Sequence, residues 1–426
     1  MRIIHTADLH LGQILYQNYE RSDEHRHFFG QLQQWCKDYT PDALLVSGDI
    51  FDIQQPSARI KQFFTDFFVK LHGECPDMKI VITAGNHDSA SRIQADSAVW
   101  ALANTRLIGL SPAVDADVGW EEKYIVRLDS GYIVALPYMI GDRKQQIQTI
   151  LDKIAKENKY NKPVVLMGHL AVTGLDLTGM EIGKLATINV DHLGTGYDYA
   201  ALGHIHKPQT IGHQDDGMKE EVTYPAPVVR YSGSALHVSA DETYPHSVSI
   251  VDIDHHGGTV KIKQLRIEEL RHFYILPLDD SSYQDAESAI EYIKAFAKDK
   301  RSGYFRLCVN YDAALPSNFN QMVYDAIQSY HDEIRYNPKI IWTGQPEQKS
   351  DEKRPTFEVE ELQQMTDPML FIEKTIDQYP GFKLEELRSD FEEVKKEMVL
   401  LKEQEENKSA AKKSKNNLKT NQPDQL

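Results

Sequence analysis

Cysteine is scarce in this chain: Cys36, Cys75 and Cys308 are its only three, and they lie far apart. So few thiols, odd in number and scattered, exclude both a disulfide framework and a thiolate metal site. No apolar run approaches the roughly 18–20 residues that a membrane span needs. The strand pattern Arg2-Ile3-Ile4-His5 begins at once and leaves no room for a signal peptide. These absences make the cytoplasm the expected compartment, with no membrane partner. Positive charge is also short: 47 basic against 64 acidic residues give −17. The imbalance is uneven, with residues 346–407 at −9, residues 408–426 at +4 and the body through 345 at −12. An acidic body supplies no general field for a polyphosphate, so such a substrate must be met by local cations. The content that remains, 41% hydrophobic and 26% charged, is that of an ordinary globular protein. A length of 426 residues implies two or more domains.

From the start to about residue 270, short apolar runs alternate with helical patterns, which predicts a layered α/β domain. Strands are expected at Ile3–Thr6, Ala43–Ser47, Ile80–Ala84, Tyr132–Leu136, Val164–Met167 and Tyr199–Leu202, and then, as parts of a second sheet, at Val228–Tyr231 and Ser247–Asp252. Gly30–Tyr39 reads as a helix, broken by Pro41. Ser57–Leu71 reads as another, whose wide stripe of Ile60, Phe63, Phe64, Phe67, Phe68 and Leu71 exceeds what one core needs and leaves room for a second copy of the chain. From His272 a small βαβαβ unit follows: strands Phe273–Leu276, Tyr304–Asn310 and Lys339–Trp342, helices Tyr283–Ala297 and Phe319–Tyr330. Residues 345–362 are a polar linker. Residues 363–405 carry two helical patterns, the second with a heptad seam of Leu384, Leu387, Phe391, Val394, Met398 and Leu401. That seam either docks on a partner helix or coiled coil or packs back on its own chain. Residues 406–426 are Lys-rich, of low complexity and expected to be disordered.

The chemistry sits at the strand ends. Asp8 and His10 follow the first strand, Asp49 the second, Asn86 and His87 the third; His169 ends a fourth run, His204 and His206 a fifth. Residues at i and i+2 of an extended chain point the same way, and the carboxyl ends of strands in an α/β sheet line one crevice. Each His alone is more often structural; five sets after five apolar runs are a constellation. Mixed oxygen and nitrogen donors suit manganese, iron or zinc. There are too many for one ion. With Asp49 bridging, Asp8, His10 and His206 fall to one ion and Asn86, His169 and His204 to another. Such a pair, roughly 3.5–4 Å apart, clamps a phosphoryl group and activates a hydroxide.

These blocks, Asp8-Leu9-His10, Gly48-Asp49, Gly85-Asn86-His87-Asp88, Gly168-His169 and Gly203-His204-Ile205-His206, resemble in order the pattern of the calcineurin-like metallophosphoesterases. The resemblance implies the same ligand division, with His87 contacting the scissile phosphate; Asp88 would orient His87 or cap the following helix. A closer resemblance covers nearly the whole chain. His5-Thr6-Ala7-Asp8-Leu9-His10-Leu11-Gly12, Gly48-Asp49-Ile50-Phe51-Asp52, Ala201-Leu202-Gly203-His204-Ile205-His206-Lys207-Pro208 and Arg230-Tyr231-Ser232-Gly233-Ser234 are similar to the SbcD family, nuclease subunits of bacterial SbcCD complexes. The departures are Ala235, where that family usually has Pro, and Leu9, where Trp is frequent; both lie beside the ligands rather than among them.

The family implies a two-sheet layered metallophosphoesterase core over residues 1–270, a small βαβαβ capping domain over 271–344 and a helical C-terminal tail that docks on an SbcC-type ATPase. It further implies manganese, double-strand exonuclease and single-strand endonuclease activity, and a homodimer joined by two ATPase chains in DNA end processing, repair and recombination. The rival expectation is a metallophosphatase or phosphodiesterase for a small molecule or protein, and the capping unit and heptad seam speak against it. A scaffold without catalysis would show a degraded ligand set, and no ligand position is degraded. Arg21 and Arg92 lie near the motif loops and are read as surface residues that could reach phosphates.

Overall fold

Ala43–Val46 is an unbroken apolar run because the strand Ala43–Ser47 is covered on both faces, every one of its residues being buried. A computed structural model of the chain describes residues 1–344 apart from 17, 113–117, 142, 178–185, 214–220, 240–241, 243 and 300–301; beyond 344 it describes Arg388 alone. The expected linker (345–362), helical docking segment (363–405) and Lys-rich tail (406–426) therefore lie outside the described residues.

The chain opens with β1 (Arg2–Thr6), a short hairpin of β2 (Ile14–Leu15) and β3 (Tyr19–Glu20), and α1 (Ser22–Tyr39). Then come β4 (Ala43–Ser47), α2 (Ala58–Glu74), β5 (Lys79–Thr83), α3 (Ala90–Trp100), β6 (Thr105–Ile108), β7 (Ile125–Leu128), β8 (Gly131–Ala135), α4 (Lys144–Glu157) and β9 (Val164–His169). Next are β10 (Tyr199–Gly203), β11 (Gln209–Thr210), β12 (Glu221–Pro225), β13 (Val228–Tyr231), β14 (Ser247–Ile253) and β15 (Thr259–Arg266). The last described elements are β16 (His272–Leu276), α5 (Ala286–Lys298), β17 (Gly303–Asn310), α6 (Phe319–Ile327), β18 (Ile334–Tyr336) and β19 (Ile341–Thr343).

Two sheets make the layered core. One has seven strands in the order β12-β15-β14-β1-β4-β5-β6, the other six in the order β11-β13-β10-β9-β8-β7. β1 lies between a parallel and an antiparallel neighbour, pairing Ile3 with Ala43 of β4 and with Val251 of β14. Alternation decides which core each side chain joins. Ile3, Leu45 and Val81 pack toward the second sheet, whereas Ile4, Leu44, Val46, Ile80 and Ile82 pack toward α1 and α2 through Phe28, Phe29, Leu32, Phe64 and Phe68. The other outer layer is α4, which buries Ile147, Ile150, Leu151 and Ile154.

Three expectations change here. Ser247–Ile253 belongs to the first sheet, beside β1, not to the second. The first long helix starts at Ser22, eight residues before Gly30, with Asp23 and Glu24 in its first turn facing the positive end of the helix dipole. In the third sheet the last strand of the expected βαβαβ pattern is split: β18 pairs with Gly303–Phe305 of β17 and β19 with Cys308–Asn310. Pro338, between the two pieces, has no N–H to give a ladder. This parallel sheet and its helices have their own core, including Leu276, Ile293, Phe305, Leu307, Val323 and Ile327.

The third sheet is seated on the first turn of α1. Tyr304 donates its hydroxyl hydrogen to Glu24 Oε1 at 2.5 Å, Arg335 Nη1 lies 3.6 Å from the same oxygen, and Arg271 Nη2 is 2.6 Å from Asp23. Arg21 is not a surface residue. It is buried and bound to Glu24, to Gln13 and to the carbonyl of His237. A guanidinium with every contact inside the protein is unavailable to a phosphate. Arg92 is exposed, as read. The α2 stripe is largely used internally: Phe64, Phe68 and Leu71 are buried, and Phe67 stacks on Phe29 with ring centroids 3.8 Å apart.

Candidate metal centre

Each candidate ligand sits where a strand of one of the two core sheets stops. Asp8 and His10 follow β1, Asp49 follows β4, Asn86 and His87 follow β5, His169 ends β9, and His204 and His206 follow β10. Asp8, His10, Asp49 and His169 are buried, Asn86, His204 and His206 half-buried, and His87 exposed. One donor atom each from Asp8, His10 and His206 lies within 4.8 Å of the others; the same holds for Asp49, His169 and His204, and for His10, Asp49 and His87. These groups hold seven of the eight residues that the strand ends single out, the eighth, Asn86, lies beside them with Oδ1 3.0 Å from His169 Nε2, and Asp49 belongs to two of the three groups.

The backbone turns abruptly to deliver them. Asp8, His10, Asp49 and His204 have φ of 50°, 45°, 46° and 91°. A left-handed conformation costs a non-glycine residue of order 1–3 kcal/mol and clusters where function demands it. Two glycines let the strand ends close on one another. A Cβ at Gly48 would overlap the imidazole of His169, and one at Gly85 would overlap Asp49.

Hydrogen bonds set the tautomers. His169 Nδ1 is 2.8 Å from the carbonyl of Ser47, which can only accept, so Nδ1 carries a hydrogen. Its Nε2 then faces Asn86 Oδ1 at 3.0 Å and Asp49 Oδ2 at 3.3 Å. Three electron-rich atoms meeting there require positive charge between them. Without a metal a proton fills the place. Burial disfavours the imidazolium of His169, but the Asp49 and Asp8 carboxylates outweigh it and raise its pKa to about 9. Burial likewise pushes the Asp49 carboxyl up, and the charge and hydrogen bond of His169, followed by His10, reverse this and hold it low. Asp8 is driven up by burial, only partly offset by His169 and His206, and accepts from the His204 N–H at 3.0 Å. His204 is lowered to about 4 by burial and by the charge of His169. Neither ring nitrogen of buried His10 has a hydrogen-bond partner, and Nε2 lies 3.9 Å from Asp49 Oδ2. Orphaned imidazole nitrogens beside carboxylates fit a divalent ion.

Three supporting residues went unread in the sequence or were given another part. Glu242 Oε1 accepts from His206 Nδ1 at 2.9 Å, the carboxylate–histidine pairing that orients a metal ligand. Asp52 touches two of the candidate residues: its carbonyl accepts from His87 Nδ1 at 2.8 Å and its Oδ1 lies 3.3 Å from His10 Nδ1. Asp88 neither touches the His87 ring nor caps α3, whose N-cap is Ser89. It accepts from the backbone N–H groups of Ile50, Phe51 and Gly85 at 3.0, 3.0 and 2.8 Å, fastening the loop after β4 to the loop after β5. Buried near Asp49, its carboxyl rises to about 6.

Residues 1–208 match the model of one family, the calcineurin-like phosphoesterases, and the layered α/β core is a metallophosphoesterase fold. At a finer grain the chain is similar to curated SbcD subunits of the nuclease SbcCD. Those of Rhodobacter capsulatus and Bacillus subtilis are 29% and 30% identical over 283 and 280 residues, 59% of this chain and 66% of each relative. That of Escherichia coli is 28% identical over 271 residues, 57% of this chain and 62% of the relative. The match thus spans just under two thirds of these relatives' length. No described helix is long and apolar enough to cross a membrane.

Proposed function

We propose that the chain is a metal-dependent DNA nuclease, the hydrolytic subunit of an SbcCD-type assembly. One observation carries the chemistry: carboxylates and imidazoles from the strand ends meet in three linked triads, each with its ligand atoms inside 4.8 Å, and the Asn86 amide oxygen joins them 3.0 Å from His169. So many acceptors are stable together only around positive charge. Asp8, His10 and His206 would hold one divalent ion and Asn86, His169 and His204 the other, with Asp49 placed to serve both; manganese is the metal proposed for both. Bound there, the pair supplies Lewis acidity at a phosphoryl oxygen and a water acidified to near neutrality.

The side chains do the rest. Glu242 and the Ser47 carbonyl hold His206 and His169 with one nitrogen turned to the metal side. The Asp52 carbonyl holds His87 by Nδ1–H, which leaves Nε2 to stabilise the scissile phosphate or to protonate the leaving oxygen. His87 is exposed where the other residues of the cluster are buried or half-buried, as contact with a polymer requires.

The similarity to relatives named nuclease supports DNA as the substrate and an SbcC-type ATPase as the partner, in an assembly of two plus two. Within it, residues 1–270 are assigned hydrolysis and homodimer contact, residues 271–344 capping and residues 363–405 docking on the ATPase. The cytoplasm is the assigned compartment. Linear duplex and single-stranded DNA, incubated with the purified chain and Mn2+ with and without an SbcC-type partner and ATP, test this reading. Cleavage is expected, and replacing His87 by Ala lowers it about 10²–10⁴-fold while metal content holds. Hydrolysis of a small phosphodiester with DNA intact in every arm would sink the nuclease assignment and favour a small-molecule phosphodiesterase.

A further inference from the structure

A second buried cluster adjoins the centre just described. His237, Glu242 and His246 are 7%, 4% and 1% exposed, and one ligand atom from each lies within 4.8 Å of the others. Their outer contacts fix which atoms point inward. His246 Nδ1 is 2.9 Å from the carbonyl oxygen of Ser234, so it carries the ring hydrogen and Nε2 presents a lone pair. His237 Nε2 is 2.8 Å from Glu269 Oε1, so by the same logic Nδ1 presents one. Neither His237 Nδ1 nor His246 Nε2 has a hydrogen-bond partner. The third atom is Glu242 Oε2, which lies 3.5 Å from His246 Nε2 and itself accepts from the Val238 N–H at 2.9 Å.

Three lone pairs facing one another in a protein interior repel unless a cation sits among them. A single proton could satisfy one pair and would leave the third atom orphaned. A metal satisfies all three. Donors about 2.0–2.2 Å from a tetrahedral zinc ion stand about 3.3–3.5 Å apart, which is the His246–Glu242 separation. The outer partners, one carboxylate and one backbone carbonyl, are those that orient metal-bound imidazoles elsewhere. Two imidazoles and one carboxylate form a zinc set with an open fourth position. An open cavity of about 280 Å³, lined by His237 and Glu242, gives an entry path.

We propose that His237, Glu242 and His246 form a third divalent-metal site, suited to zinc and distinct from the Asp49-centred pair. Glu242 joins the two places, with Oε1 on His206 and Oε2 on the new site. An ion here draws charge from Glu242 and weakens its grip on the Nδ1 hydrogen of His206. Occupancy of the third site thereby tunes how His206 is held. The proposal stands whether or not the chain cuts DNA.

Crystals of the full chain grown with Zn2+ test it by anomalous scattering at the zinc edge. A peak bounded by His237 Nδ1, Glu242 Oε2 and His246 Nε2 is expected, and a map with peaks only around Asp49 overturns the proposal. In solution, Asp49→Ala separates the two places, so failure of the dimetal reading cannot be mistaken for failure of this one. That variant is expected to retain about one tightly bound zinc per chain, falling to about zero when His246→Gln or His237→Gln is added. Zinc retained unchanged by a folded double variant refutes the site. Circular dichroism establishes folding, and if neither double variant folds the anomalous map of the unmodified chain decides.

Discussion

Asp49 accepts at Oδ1 from the His87 N–H at 2.9 Å and turns Oδ2 toward His10 and His169. If it bridges, Asp49→Ala releases both ions, whereas His10→Ala or His169→Ala mainly weakens one; calorimetric titration with Mn2+ distinguishes two lost sites from one. His169 also sets a pH dependence. Its pKa near 9 means that the metal-free chain holds a proton where a ligand lone pair is needed. Metal binding must expel that proton, so Mn2+ affinity should climb about tenfold per pH unit up to about 9 and level off above it. His169→Gln removes this dependence and weakens affinity at every pH; an unchanged slope would exclude His169 as the source. The eight strand-end residues were legible because an apolar run that stops at a chemically active side chain is a strong local signal. Glu242 gives no such signal, since 36 residues and a stretch of polar sequence separate it from His206. Arg21 was misread because a charge close to motif residues looks like surface until Glu24 and the His237 carbonyl are placed around it.

Among the elements, the buried strands of the core were the easiest to read. Tyr199–Gly203 and Val228–Tyr231 end within a residue of expectation because unbroken apolar runs announce coverage on both faces. What a strand lies beside was not legible. β14 looks like any other apolar run, and only its antiparallel register with β1, Ile4 opposite Ile250, places it in the first sheet. β15 escaped notice because its Lys and Gln positions interrupt the run, although its buried residues alternate over much of its length. Leu45, fully buried on the face of β4 toward the second sheet, tests the layered core. Leu45→Ala should cost about 2–5 kcal/mol in urea unfolding, through lost transfer energy and the cavity left behind. Gly85→Ala tests the crossing loops: its methyl group would overlap both the carboxylate and the backbone nitrogen of Asp49, so metal affinity should fall and the urea midpoint should fall with it.

At the scale of the whole molecule, the excess of acid is not spread idly. Glu24, buried in the first turn of α1, is held by Arg21 and by Tyr304 and lies 3.6 Å from Arg271 and from Arg335, so one carboxylate gathers groups from the start of the chain and from the third sheet. Replacing Glu24 by Gln leaves buried guanidinium charge uncompensated and should lower stability by about 3–5 kcal/mol. Limited proteolysis is expected to show earlier cutting near residues 267–271, where the third sheet joins the core; an unchanged digestion pattern would show that the sheet is held by its other contacts. Composition alone showed an acidic body and forecast that cations must be local, but not that so much of the charge is spent inside.

The left-handed backbone at Asp8, His10, Asp49 and His204 bears on how this site can vary. Each position makes two demands at once, a donor atom and tolerance of an unusual dihedral. Asn meets the second and alters the first, whereas Val or Ile fails both. In a deep mutational scan read by stability rather than by cleavage, Asn at positions 8 and 49 should therefore fall among the mildest replacements and the β-branched residues among the harshest. A ranking that followed side-chain volume alone would mean that the turns relax when their side chains change.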